Sequence, residues 1–161
     1  MTEMVSRMIQ HACRIRPMRD GVRRSRWLVV ASTAAGVDYE VGRLAQMLPQ
    51  GSFSQYAQRT WVFRTGDVEM TVMGETVASC RPDKLHSLEL TGGYLTQTCW
   101  HHPNATRVSQ ELLHRSNRYP CVLDFKGMSW AWMRQLAYWS YRKDTRLRRF
   151  IRSQMGLELW T

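Results

Sequence analysis

The sequence predicts an α/β domain, and three observations predict it. Short apolar runs of strand length occur, longer segments carry apolar residues every three or four positions, and the two alternate in a strand–turn–helix order. The 161 residues suffice for one domain with a real core. Hydrophobic residues make up 43% of the chain, and no Ser/Gly/Pro-rich stretch or charge block interrupts them, so a largely disordered chain is excluded.

Met4, Met8 and Ala12, with Val5 and Ile9 beside them, recur at helical spacing. Arg16-Pro17 ends this helix, because the residue before a proline is steered away from helical dihedrals. Arg19 to Arg26 reads as a basic loop. Trp27 to Ala31 is a continuous apolar run, as expected of a strand buried on both faces of a parallel sheet. Val37, Val41, Leu44 and Leu48 return to helical spacing until Pro49-Gln50-Gly51-Ser52 breaks it. Thr60 to Phe63 and Val68 to Val72 read as a hairpin around Arg64-Thr65-Gly66-Asp67. After Arg81-Pro82-Asp83 the pattern gives a short helix, a brief strand from Gly93 to Thr96, a helix over Ala105 to Arg115 and a long final helix. There is no internal repeat. Residues 1–127 are expected to form the α/β domain and 128–161 a basic, aromatic, amphipathic helix.

Twenty-three Lys and Arg against thirteen Asp and Glu leave a formal charge of +10, which favours polyanionic partners. Cys13, Cys80, Cys99 and Cys121 lie far apart without a CxxC pair, so reduced thiols are expected rather than a zinc ribbon or a disulfide scaffold. Cys99, His101, His102 and His114 match no common ligand spacing, and no metal site is assigned. Glu3 and Arg7 interrupt the amino-terminal apolar stretch and nowhere do eighteen apolar residues run together, so neither signal peptide nor membrane span is expected. The sequon at Asn104 to Thr106 is given no meaning, and a cytoplasmic location is expected.

In the final segment Trp132, Met133, Leu136, Trp139, Leu147, Phe150 and Ile151 share one side of a helical wheel, and Arg134, Tyr138, Tyr141, Arg142, Arg146, Arg149 and Arg152 share the other. Interleaved guanidinium and aromatic groups can neutralise phosphates and stack on bases of single-stranded nucleic acid. A helix that docks its apolar side and leaves its charges in water has the same pattern. Glu69 and Glu75 could be read as paired carboxylates, but strand alternation puts them on one solvated face as easily as in a site, and they are given no chemistry. His86 is given none either. Gly92-Gly93 is read as permitting close backbone packing at a strand start, helped by glycine's tolerance of positive φ.

The run Lys84-Leu85-His86-Ser87-Leu88-Glu89-Leu90-Thr91-Gly92-Gly93-Tyr94-Leu95, followed by Leu113-His114-Arg115-Ser116-Asn117-Arg118-Tyr119-Pro120, resembles one branch of tailed-phage terminase large subunits. The family pattern there is an SLELTGAW segment, an acidic pair of the NEA type and a GRxGRYP loop. Upstream, Arg23 to Val30, Pro49 to Phe53 and the turn Gly66-Asp67-Val68-Glu69 resemble the same family in the same order. The likeness runs over roughly residues 8 to 120 and is most specific from Ser87 to Leu95. It implies a partial P-loop-ATPase-like sheet with flanking helices, to which the long C-terminal helix is added.

The resemblance also implies which parts are missing. A GxxxxGK loop followed by Ser or Thr, which would cradle nucleotide phosphates, is absent, and the chain begins about where the helix after that loop would lie. Where the family carries a catalytic Glu, this sequence has Gln97, with Thr96 beside it. An amide cannot act as a base and a hydroxyl is a poor substitute for a Mg²⁺-binding carboxylate. A TNPP-like coupling motif has no clear counterpart after Pro120, and the nuclease domain is missing. No cofactor is therefore expected for this chain alone, although the family uses ATP and Mg²⁺. Arg115 and Arg118 match the GRxGRYP loop, where a guanidinium could serve a neighbour's phosphate or DNA; a solvated helix end is the other reading.

The resemblance thus implies a non-catalytic terminase-like protein of the phage packaging apparatus in the host cytoplasm. It would bind DNA non-specifically, or terminase or portal proteins, with a homo-oligomer possible and no membrane. The expected nucleic-acid residues are Tyr138, Tyr141, Arg142, Arg146, Arg149, Arg115 and Arg118. Two alternatives stand beside it: a split motor completed by a second chain that supplies the P-loop, and a truncated relic without selected function. Without the P-loop strand, buried strand edges would lack partners, so the strands close up, Cys121 to Phe125 fills the gap, or another chain does.

Overall fold

The computed structural model describes residues 2–48, 52–85 and 88–115. In chain order these form α1 (Thr2–Arg14), β1 (Arg23–Ala31), α2 (Ala34–Met47), β2 (Ser52–Ala57), β3 (Thr60–Thr65), β4 (Val68–Thr76), α3 (Pro82–Leu85), β5 (Gly92–Leu95), a 3-10 turn (Gln97–His101) and α4 (Ala105–Arg115). The strands make one mixed sheet in the order β2-β3-β4-β1-β5. β1 runs parallel to both of its neighbours, and β2, β3 and β4 follow one another antiparallel.

The apolar run in β1 is explained by helices on both of its faces. Trp27, Val29 and Ala31 share a core with Val5, Met8 and Ala12 of α1 and Val37, Val41 and Leu44 of α2. Leu28 and Val30 point the other way, into a core with Leu85, Leu95, Cys99, Val108 and Leu112. Strand alternation turns one continuous run into two half-sets, with each Val or Leu side chain contributing about 1.5–3 kcal/mol when fully buried. The indole N–H of Trp27 donates to Ser25 Oγ at 2.8 Å, so this ring is buried without an orphaned donor.

The expected helices at both ends of the described chain, the β3–β4 hairpin and the brief strand at β5 are present. Three readings change. The basic loop is half strand: Arg23 to Arg26 belong to β1, in register with Val68 to Thr71 of β4. Arg23 Nε lies 2.8 Å from Asp67, and Arg24 lies 2.7 Å from Asp20 and 3.4 Å from Glu69. These carboxylates come mainly from a distant turn and strand, so the run of arginines looks like a solvated loop until the sheet forms. β2 is an addition to the expected elements; Ser54 and Gln55 are exposed on the sheet's outermost strand, and no apolar alternation marks it. The glycine argument also shifts. Gly21 (φ 80°) and Gly66 (φ 56°) take the left-handed conformation, whereas Gly93 does not; a Cβ there would instead collide with the backbone carbonyl oxygen of Leu28.

β5 is the last described strand on its side of the sheet, yet all four of its residues are buried. Cys121 to Phe125, one of the three expected ways to fill the gap left by the P-loop strand, lies outside the described residues, as do Arg118, Tyr138, Tyr141, Arg142, Arg146, Arg149 and the rest of the segment expected to form the final helix. Among the described residues no helix is long and apolar enough to cross a membrane.

Candidate functional site

In open α/β sheets, ligands meet the crevice outside the carboxyl ends of the parallel strands, where neighbouring connections part to opposite faces. β1 is such a place, because the chain leaves it through α2 on one face and enters β5 from α3 on the other. The residues gathered there are Ser32 and Thr33 after β1, Thr76 and Ser79 at the end of β4, and Thr96, Gln97 and Thr98 after β5.

Hydroxyls dominate this end and engage one another. Thr98 Oγ1 lies 2.9 Å from Ser32 Oγ and 3.3 Å from Thr96 Oγ1, joining the ends of β1 and β5. Thr96 Oγ1 in turn lies 3.4 Å from Cys99 Sγ, whose thiol donates to the Val30 carbonyl at 3.3 Å. Burial pushes the Cys99 thiol pKa up, with the Thr96 hydrogen bonds opposing that shift, so Cys99 is not an activated thiolate. Thr33 caps α2 by accepting from the Gly36 N–H at 3.1 Å. Glu75 is turned to Ser79 Oγ at 3.1 Å and faces Arg59 at 4.0 Å. Glu69, on the same face of β4, pairs with Arg64 at 2.9 Å, so both acids serve ion pairs.

Gln97 is exposed and opens the 3-10 turn, directly beside Thr96. The structure therefore brings Thr96 and Gln97 to the carboxyl end of β5, in the setting where the resemblance places an acidic residue. Arg115 is the last residue of α4, away from this hydroxyl cluster along the chain. Among the described residues no three His, Cys, Asp or Glu side chains are grouped to hold a metal ion. His102 Nδ1 instead accepts from the Asn104 N–H at 3.1 Å.

Two residues that sequence reasoning passed over organise the flanks. Asn104 donates its amide to the carbonyls of Val77 and Cys80, at 3.0 and 2.9 Å, tying the loop after β4 to the start of α4. Its only sequence mark was the sequon. Glu40 of α2 is 3% exposed and accepts from the Tyr94 hydroxyl at 2.9 Å. Burial, followed by the Glu40 charge and hydrogen bond, holds the Tyr94 pKa well above its ordinary value.

A mixed sheet with parallel strands at one end, helices on both faces and a switch point at β1 defines an open α/β fold, and the likeness to a large terminase supports reading it as P-loop-ATPase-like. Its likeness among solved structures is to phage large terminases. The large terminase from a thermophilic bacteriophage superposes with a TM-score of 0.57 at 9% identity, over 74% of this chain and 29% of that one. A further crystal form of that terminase, in complex with ADP, gives 0.49 at 6% identity over 73% and 28%. A mutant ATPase domain of a Thermus phage large terminase gives 0.36 at 16% identity over 70% and 52%. The first match carries the fold comparison, and at such identity the likeness is one of fold. The chain spans less than a third of that terminase. No protein-family model matches the sequence, and no curated protein does.

Proposed function

We propose that this chain is a terminase-like domain of the phage DNA-packaging apparatus that does not turn over ATP by itself and acts by binding DNA or packaging proteins. The observation that carries the non-catalytic reading is the composition of the carboxyl end of β5. The resemblance assigns Gln97 to the position where an acid would orient the attacking water, and the neighbouring Thr96, Thr98 and Ser32 hydroxyls bond to one another. Phosphoryl transfer depends on positioning and on charge stabilisation, and an amide among neutral hydroxyls supplies neither a base nor a strong Mg²⁺ ligand.

A phosphate-release assay with Mg-ATP tests this reading. The purified chain should show no turnover, and Gln97→Glu should not restore any, because no phosphate cradle would hold the nucleotide against the new carboxylate. Turnover above background that vanishes in Gln97→Ala would refute the reading.

The +10 charge supports DNA as the partner, and the Arg and Tyr side of residues 134–152 is the sequence's candidate contact. If four to six of those arginines met phosphates, the log–log salt slope would be roughly −3 to −5, with a micromolar or weaker Kd at physiological salt. Stacking by Tyr138 and Tyr141 would favour single strands by about 1–3 kcal/mol per stacked base. Fluorescence anisotropy comparing wild type with an Arg142→Ala, Arg146→Ala, Arg149→Ala variant on both DNA forms measures this. Equal binding by the two proteins would remove that helix from the site.

A further inference from the structure

The opposite end of the sheet carries a cluster that the reading above does not use. Between the end of α1 and the start of β1 lies an open groove of about 1050 Å³, lined by Arg14, Arg16, Arg19 and Arg24, with Met18 and Asp20 among them. Its backbone is pinned. Ile15, 1% exposed, is anchored in the interior, and the Arg23 guanidinium donates to its carbonyl. The Met18 N–H donates to the Val22 carbonyl and the Gly21 N–H to the Met18 carbonyl, both at 2.9 Å, closing the loop through the left-handed Gly21. The arginines are thus displayed from a fixed rim rather than from a loose tail.

The charges in the groove do not cancel. Asp20 is taken by Arg24 at 2.7 Å, and that hydrogen bond holds its carboxyl below the usual range. Arg14, Arg16 and Arg19 are exposed, and no ion pair is formed by them among the described residues. His11 lies one helical turn before Arg14, and its pKa is lowered first by burial and then by Arg14 and Arg7.

The geometry points to a phosphate-backbone site for duplex DNA in this groove, with Arg14, Arg16 and Arg19 as the contacting residues. The choice of DNA as the polyanion rests on the packaging reading above, whereas the charge geometry stands by itself. Guanidinium groups match phosphate oxygens in pairs of parallel hydrogen bonds. No aromatic side chain lines the groove, so it offers no stacking platform for an unpaired base and no anchoring pocket for an apolar peptide residue. A wide, open, predominantly cationic rim suits a rod of regularly spaced phosphates and reads charge rather than sequence.

Anisotropy of a short labelled duplex with the full chain tests the site at about 50 mM salt and above. Arg16→Ala/Arg19→Ala should weaken binding roughly tenfold or more at low salt and make the salt slope shallower by about 1.8, the loss of two phosphate contacts. Arg81→Ala/Arg107→Ala removes the same charge from the exposed rim near α3 and α4 and should change binding far less. In parallel, duplex addition to the wild type should raise the His11 titration midpoint followed by NMR, because phosphates offset the neighbouring arginines. Equal losses in the two double variants would reduce the effect to bulk charge and overturn the site. Undiminished binding by Arg16→Ala/Arg19→Ala would overturn the groove while leaving DNA binding and the C-terminal helix standing. Absence of any duplex binding by the wild type would sink the DNA reading and this site with it. Displacement of duplex by polyglutamate at equal charge concentration would assign the groove to an acidic protein instead.

Discussion

The two ends of the parallel strands differ in kind. At the carboxyl end Ser32, Thr96, Thr98, Cys99 and Asn104 spend their polar atoms on one another and on nearby backbone carbonyls. At the amino end Arg14, Arg16 and Arg19 stand on a pinned rim, exposed and in excess over the one carboxylate beside them. The end where α/β proteins commonly do chemistry is here internally satisfied, and the end usually concerned with stability carries the outward charge. Substitutions should therefore separate: the carboxyl half governs stability, the amino half governs association.

The largest effect is expected at Gly93, where a methyl group would meet the Leu28 carbonyl and force β5 from β1. Gly93→Ala should cost about 3 kcal/mol in chemical denaturation, near the upper end for overpacking, and a neutral result would mean that the strands do not approach so closely. Next comes Asn104→Ala, which leaves the Val77 and Cys80 carbonyls without their donor and should cost about 2 kcal/mol. Recovery by Asn104→Asp would argue against this account, since a carboxylate has no N–H to donate.

Tyr94→Phe should cost about 1–2 kcal/mol by depriving the buried Glu40 carboxylate of a donor. It also carries a pH signature. The folded-state pKa of Tyr94 lies above its unfolded value of about 10, so its contribution is fully present below that pH and is lost as pH rises beyond it. The wild type should lose stability above about pH 10 more steeply than Tyr94→Phe; parallel curves would contradict the buried pairing.

At the amino end the expected stability changes are smaller. Arg23→Ala removes the bond to Asp67 and the donor to the Ile15 carbonyl, and should cost about 1 kcal/mol. Arg16→Ala and Arg19→Ala should each stay within about 0.5 kcal/mol in thermal or urea melts while weakening duplex binding. Marked destabilisation by either would make those arginines structural and blur the contrast between the two ends.

Local pattern and covalent chemistry determined a good part of this protein in advance. Trp27 to Ala31 declared a doubly buried strand because alternation through a continuous apolar run leaves no solvated face. The spacing of Val37, Val41 and Leu44 declared a helix, and the residues from Thr60 to Val72 a hairpin. Tertiary structure alone decided the rest, because it concerns atoms far apart in sequence. Arg23 and Arg24 became strand residues only when Asp67 and Glu69 arrived beside them, and the polar edge strand β2 acquired its partners only from β3. Glu40 found Tyr94 across 54 positions, and Gly93 was required by the nearness of Leu28 rather than by its own dihedrals. The split between an internally satisfied carboxyl end and a cationic amino end is likewise invisible in a net charge of +10, which counts arginines without saying which of them already have a carboxylate.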